Sequence, residues 1–249
     1  MCLIAWNWQP ASPEPLLLIA NRDEYFARPA EPLHWWPDAD ILAGRDLQAG
    51  GTWLGVSRTG RLAVLTNYRD GLAQRSDAPS RGELVSQFLQ TRVSAPDYLR
   101  ALADRAADYN PFNLLVFDAV GLWGFESRHA QIMAMPAGIG AVSNADFNTP
   151  WPKVQNLKTG LHKLLVQGQL SAAELLALLQ NRQLAADADL PDTGIALALE
   201  RSLSATFVAM PGYGTRACSM VRFASGCFEF FEQGFDANGH THSRLLKTS

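Results

Sequence analysis

Two apolar runs at the start of the chain, Cys2–Trp8 and Leu16–Ala20, are separated by Pro10-Ala11-Ser12-Pro13-Glu14-Pro15, and that separation fixes the first element of the fold. Proline lacks the amide that a ladder needs, so this stretch forces a loop and the two runs close on each other as a hairpin. Whatever follows Ala20 is then brought beside the first residues of the chain.

Further elements follow from turn residues and apolar spacing. Gly50-Gly51 leads into a strand over Thr52–Ser57, and Thr59-Gly60 leads into another over Arg61–Thr66. The latter is apolar at nearly every position, as suits a strand covered on both faces. Between the hairpin and these strands, the polar, Pro-rich stretch from Asn21 to Asp40 carries little strand or helix signal. Ser80-Arg81-Gly82-Glu83 reads as a capping box ahead of Leu84, Val85, Phe88 and Leu89 at helical spacing. A second helix over Pro96–Tyr109 ends at Asn110-Pro111. Strands are expected over Phe112–Phe117 and Leu122–Glu126, with a short one near Ile139–Val142. Thr149-Pro150-Trp151-Pro152 resembles a helix entrance with proline in the first turn, and Ser171-Ala172-Ala173-Glu174 is another capping box. Strands over Thr206–Met210, Arg216–Phe223 and Cys227–Phe231 close the chain. Strands, two helices, strands, two helices and strands, in that order, fit an α+β fold of two stacked, mainly antiparallel sheets faced by helical layers.

The 249 residues, 47% of them hydrophobic, suffice for one large core, and no linker divides residues 1–249 into two domains. A net charge of −3 offers no electrostatic reason to bind nucleic acid. No segment approaches the roughly 18 apolar residues that span a bilayer. Cys2, Cys218 and Cys227 make an odd count in a poor spacing for metal, so neither a disulfide framework nor a metal site is indicated. A cytoplasmic protein is expected.

Cys2 stands directly behind Met1. Trimming of the methionine before a small residue leaves a thiol beside a free amine, so one residue holds both a nucleophile and its base. A thiol titrates near ~8.5 and an α-amine near ~7.7–8.0, which suits the amine to accept the thiol proton. The competing reading is a small apolar strand residue, as most buried cysteines are.

Arg-Asp occurs three times, at Arg22-Asp23, Arg45-Asp46 and Arg69-Asp70. Neighbours on a strand point to opposite faces, so such a pair cannot satisfy itself there and each charge needs a partner elsewhere. The hairpin brings Arg22 and Asp23 towards Cys2, which favours a functional part for Arg22 and leaves the other pairs open. Donors for an oxyanion are sought at Asn67 and Asn144, each at the end of an apolar strand, although strand-end asparagines more often form turns. The five histidines lack an acidic or thiol partner at a recognisable interval, so a His-based triad is not supported. His240-Thr241-His242 has metal- or haem-binding spacing but reads better as a solvated tail. Trp6, Trp8, Trp35, Trp36 and Trp53 are core candidates, with His34-Trp35-Trp36-Pro37 the candidate wall of an apolar ligand site.

Taken together, Met1-Cys2-Leu3-Ile4, Asn21-Arg22-Asp23-Glu24, Gly44-Arg45-Asp46, Gly50-Gly51-Thr52-Trp53-Leu54-Gly55, Leu65-Thr66-Asn67-Tyr68-Arg69, Ser80-Arg81-Gly82, Phe112-Asn113-Leu114-Leu115-Val116, Trp151-Pro152-Lys153-Val154 and Tyr213-Gly214-Thr215-Arg216 closely resemble the NRDE family, in order and over nearly the whole chain. One departure is Ala141-Val142-Ser143-Asn144, where Gly-Leu-Ser-Asn is expected. The family is similar in turn to N-terminal-nucleophile hydrolases of the penicillin V acylase and bile-salt hydrolase branch. That similarity implies a four-layer αββα sandwich, Cys2 as nucleophile, Arg22 beside the thiolate, Asp23 in an orienting part, Asn67 and Asn144 near the oxyanion, and Arg216 on a late strand. The acylase pattern separates its Arg and Asp, whereas Arg22 and Asp23 are adjacent.

Two functions are expected from this reading. One is a Cys2-dependent amidohydrolase acting on a non-peptide C–N bond of an apolar acyl substrate, without a cofactor. The other, drawn from the resemblance, is a non-catalytic binding and trafficking protein for haem, an acyl lipid or acyl-CoA. Oligomeric state is not legible.

Overall fold

The computed structural model describes residues 2–72, 74–224 and 226–248. In chain order the strands and helices are β1 (Cys2–Trp8), β2 (Leu16–Tyr25), β3 (Ala30–Trp35), β4 (Ile41–Asp46), β5 (Leu54–Ser57), β6 (Leu62–Asn67), α1 (Gly82–Gln90), α2 (Ala95–Ala103), β7 (Phe112–Asp118), β8 (Gly121–Glu126), β9 (Gln131–Ala134), β10 (Gly138–Val142), α3 (Pro152–Gln167), α4 (Ala172–Leu179), α5 (Leu197–Ser202), β11 (Ala209–Met210), β12 (Tyr213–Ala224), β13 (Cys227–Asp236) and β14 (Gly239–Lys247). One sheet runs β10-β1-β2-β12-β13-β14, with β11 on β12; the other runs β3 to β9 in sequence order. Every described pairing is antiparallel.

The period of two along each strand sorts its side chains into separate cores. On β1, Ile4, Trp6 and Trp8 enter the core between the sheets, where they meet Leu16, Leu18, Leu62, Val64 and Leu115. Leu3 and Ala5 face the other way, onto Val154, Leu157 and Leu161 of α3 and Leu175 of α4. On the second sheet Ala63, Leu65 and Leu114 pack against Leu84, Val85 and Phe88 of α1 and Leu99 of α2. The layers are therefore α, β, β, α, as the resemblance implied. Each large apolar side chain taken out of water contributes about 1.5–3 kcal/mol.

Several boundaries differ from the sequence reading. β2 continues to Tyr25, so Asn21–Glu24 lies within the strand rather than after it. The stretch expected to be irregular contains β3, an edge strand whose register slips between Glu31 and His34, where Pro32 sits. Proline is tolerated at such an edge irregularity, and it hides the strand from sequence reading. The 206–210 strand shortens to β11, whereas α5 and the polar edge strand β14 were not anticipated. The second expected helix is α2 followed by a separate 3-10 turn at Ala106–Asp108. The Ser171–Glu174 capping box forms, with both reciprocal bonds present. The Ser80–Glu83 box does not, because α1 starts one residue later with Arg81 as its N-cap; the Glu83 carboxylate accepts from the Tyr109 hydroxyl at 2.6 Å instead.

Gly140 lies directly opposite Trp6 on the β1–β10 ladder, and a Cβ placed there would stand 2.1 Å from the indole. The missing side chain admits the Trp6 ring to the inter-sheet core. Gly140→Ala is expected to destabilise the fold by roughly 2 kcal/mol through overpacking, seen as a lowered urea midpoint.

Candidate active site

Cys2 and Arg22 are cross-strand partners on β1 and β2. By strand parity both continue the rows that fill the inter-sheet core, so a thiol and a guanidinium take over where Ile4 and Ala20 leave off. They open onto a cavity of about 610 Å³ that Trp53, Leu65, Asn67 and Arg81 also line. Cys2 is 6% exposed. Burial pushes its thiol up and the Asp23 charge adds to this; the Arg22 guanidinium and the Asp23 backbone N–H work in the opposite direction without cancelling it.

Asp46, at the end of β4, holds the arginines of this wall. Its Oδ2 accepts from Arg22 Nη2 at 3.2 Å and from Arg28 Nε at 2.5 Å, while Oδ1 accepts the amides of Gln48 and Ala49. Burial opposes ionisation of Asp46, but the Arg28 hydrogen bond and the backbone amides outweigh it and hold the carboxyl below its usual range. Of the Arg-Asp pairs left open by the sequence, Arg45 binds Asp38 instead, and Arg69 binds Glu200 at 2.8 Å.

Asp23 is one residue further along β2, and its side chain therefore crosses to the helical side. Its Oδ1 accepts from the Thr215 hydroxyl at 2.7 Å, directly across the β2–β12 ladder. Lys153, in the first turn of α3, is 2% exposed and its Nζ makes no hydrogen bond among the described residues. Burial drives Lys153 down to about 8, with Asp23 pulling it back up; burial drives Asp23 up, with Lys153 pulling it back down. The two charges thus support each other beneath β1 and β2. Asp23 serves the front of the sheet through its amide and the back through its carboxylate.

The asparagines divide. Asn67 ends β6 and lines the cavity, whereas Asn144 is wholly buried and does not. Its Nδ2 donates to the Asn67 carbonyl at 2.8 Å and its own carbonyl receives the Arg69 amide at 2.7 Å. The Ser143 hydroxyl lies 3.1 Å from both the Cys2 carbonyl and Asn144 Oδ1. Asn144 therefore ties the end of one sheet to the end of the other. Arg216 falls in the bulge between Thr215 and Ala217 and lines the cavity. Its Nη1 donates to the carbonyls of Tyr25, Phe26 and Arg28, which clasps the β2–β3 connection.

One aromatic expectation is corrected. Trp35 packs against Phe228 and Arg58, and Trp36 is buried beside Arg45, so neither lines the cavity; of the early tryptophans Trp53 does. His242 lies against Glu232 at 3.1 Å and His240 against Ser243 at 3.0 Å, so the two imidazoles do not converge. The state of Met1 lies outside the described residues. Sequence reasoning gave no role to Asp46, Arg81, Lys153 or Thr215, although each sits inside one of the quoted motifs. For Lys153, the lone charge in the apolar run Trp151-Pro152-Lys153-Val154 was the available signal.

The layers and their connectivity define an N-terminal-nucleophile hydrolase fold. A cysteine-to-alanine mutant of the conjugated bile acid hydrolase from Clostridium perfringens shares it, with a TM-score of 0.54 over 100% of this chain and 97% of that one, at 9% identity. The family model described as Transport and Golgi organisation 2 matches residues 1–237, and the chain belongs to that family, the one the NRDE motifs pointed to. Among its members, the Homo sapiens Transport and Golgi organization protein 2 homolog is 33% identical over 89% of this chain and 88% of its own. The Mus musculus homolog is 32% identical over 96% and 90%, and the Drosophila melanogaster protein 27% over 73% of each. Among the described residues no helix is long and apolar enough to cross a membrane.

Two outcomes test this geometry. Alkylation of Cys2 by iodoacetamide should rise with pH through a midpoint above that of an ordinary thiol, and Arg22→Met should move the midpoint higher still, since it removes the cation that favours the thiolate. Asp23→Asn and Lys153→Met should each cost roughly 3 kcal/mol by stranding the other buried charge, and the double variant should cost less than the sum, measured in a urea double-mutant cycle.

Proposed function

We propose that this protein is a cysteine amidohydrolase that cleaves a non-peptide C–N bond in an acyl amide, with Cys2 as nucleophile. The observation that carries the proposal is the joint presence of the Cys2 thiol, the Arg22 guanidinium and Asn67 on one cavity at the end of the inter-sheet core. The reaction class agrees with the name of the bile acid hydrolase that shares the fold.

In the proposed reaction the Cys2 sulfur attacks the amide carbon. Its proton passes to the α-amine of Cys2, which becomes available when Met1 is removed. Arg22 favours the thiolate, and the Asn67 side chain donates to the oxygen that gains charge. Collapse breaks the C–N bond, and the leaving amine takes the proton. Water then adds to the thioester carbon, the S–C bond breaks, and the acid leaves as the thiol re-forms. In this scheme Asn144 and Arg216 act as fasteners that hold the strand ends and the β2–β3 connection, rather than as donors to the oxyanion. Asp23 holds the backbone of the nucleophile's neighbour in place through Thr215 and Lys153. Trp53, Leu65 and Phe235 give the acyl group an apolar surface.

A carrier for haem or an acyl chain, the other function implied by the resemblance, would use the Trp35–Trp36 stretch as its apolar wall, and that stretch packs away from the cavity, which favours the hydrolase. Release of amine from a panel of acyl amides of varied chain length should be abolished by Cys2→Ala with the circular-dichroism spectrum and urea midpoint retained. Turnover undiminished in that variant would overturn the proposal.

A further inference from the structure

Arginines and carboxylates line the cavity in near-equal number, but not every arginine pairs with a carboxylate. Arg22 and Arg28 share Asp46, Arg45 has Asp38, and His242 has Glu232. Arg81 and Arg216 line the same cavity, yet neither forms an ion pair with a carboxylate among the described residues. Arg216 has its Nη1 on three carbonyls, and its buried Nε has no hydrogen-bond partner among the described residues. Arg81 has its Nη1 on two neutral acceptors, Gln74 Oε1 and the Pro111 carbonyl, both at 3.1 Å. Its Nε and Nη2 make no hydrogen bond within the described residues and are not enclosed.

The backbone holds Arg81 in this place. Gly51 packs directly on Gly82, and a Cβ on Gly51 would stand 2.6 Å from the Gly82 carbonyl carbon, while the Thr52 amide donates to the Gly82 carbonyl at 3.3 Å. These contacts press the start of α1 onto the cavity rim and set Arg81 beside it. Burial lowers the affinity of Arg81 for its proton, and Cys2 and Glu24 are the groups whose negative charge offsets this, against Arg28. The guanidinium is therefore within electrostatic reach of the sulfur. A half-buried guanidinium facing open space with unused planar donors matches the geometry by which arginine binds carboxylate or phosphate.

We propose that Arg81, with the charge of Arg216 on the same cavity, forms an anion subsite, so that the acyl compound handled at Cys2 carries a carboxylate or a phosphate group. This rests on the reading of the cavity as a substrate site and deepens it by naming a required feature of the substrate. The anionic group would dock on the free edge of the Arg81 guanidinium, leaving the remainder of the molecule to lie along Trp53 and Leu65.

The test compares alkylation of the full chain by iodoacetate and iodoacetamide, read at Cys2 by peptide mass mapping so that Cys218 and Cys227 do not contribute. Taking the ratio of the two rates cancels changes in thiolate fraction. The wild-type ratio should exceed that of free cysteine, Arg81→Gln should lower it roughly fivefold, the scale of one partly solvated charge contact, and Arg81→Lys should retain part of the preference. A ratio unchanged in Arg81→Gln would overturn the proposal. On the unaltered protein, acetate and methyl phosphate at constant ionic strength should slow iodoacetamide labelling saturably. Stronger protection by acetate points to a carboxylate and stronger protection by methyl phosphate to a phosphate ester, whereas no saturable protection by either would overturn the subsite. None of these measurements needs turnover, so failure here leaves the amidohydrolase proposal standing, and loss of that proposal leaves the charge preference at Cys2 intact.

Discussion

The β1–β2 register, which sets Cys2 opposite Arg22, is the constraint on which the remaining geometry depends. Strand parity makes the two side chains share a face, and the hydrophobic rows of Ile4, Trp6, Leu18 and Ala20 decide which face it is. A one-residue slip would turn the thiol towards α3 and bring apolar side chains to the cavity. The packing of Trp6 against Gly140 on the opposite side of β1 fixes the register of β1 on β10 and so which face of β1 meets the core, while the β1–β2 hairpin sets Arg22 opposite Cys2.

The same alternation distributes labour between the two sides of the sheet. Of the residues of even number in the first hairpin, Cys2 and Arg22 present a thiol and a guanidinium to the cavity. Asp23 and Asn21, of odd number, reach back to Thr215, Lys153 and the ends of the helical layer. Buried charge there is held by other buried charge and by a hydroxyl, in a region where an isolated ion would be costly. An adjacent Arg-Asp pair is thus a way of addressing two layers from one strand position and its neighbour.

The hairpin, the two-faced strand β6, the helix opened by Ser171 and the proline entry to α3 were legible because each follows from local chemistry: a loop that cannot pair, a run without polar positions, a cap, a fixed φ. β3 was not legible, since Pro32 and the surrounding charges are tolerated only because the strand lies at an edge with a slipped register. The Ser80–Glu83 cap failed because the helix starts one residue later, at Gly82 where main chain packs on Gly51, with Arg81 in the N-cap place and Glu83 held by Tyr109. At the site, Cys2, Arg22 and Asn67 could be placed from the hairpin and strand ends. Asn144 and Arg216 carry the expected residue types at the expected strands, yet Asn144 Nδ2 and Arg216 Nη1 are occupied by carbonyls that only the folded chain brings near. Asp46, contributed from the other sheet, could not be assigned to Arg22 without knowing how the sheets face each other.

The Gly51–Gly82 contact joins two stretches of main chain with no side chain between them. Where side chains intervene, their exchange can shift a helix by small steps and retune what it presents. Here there is nothing to exchange. The entrance of α1 is locked to the turn before β5 as a single rigid corner, and variation in the shape of the cavity is left to the side chains that line it elsewhere.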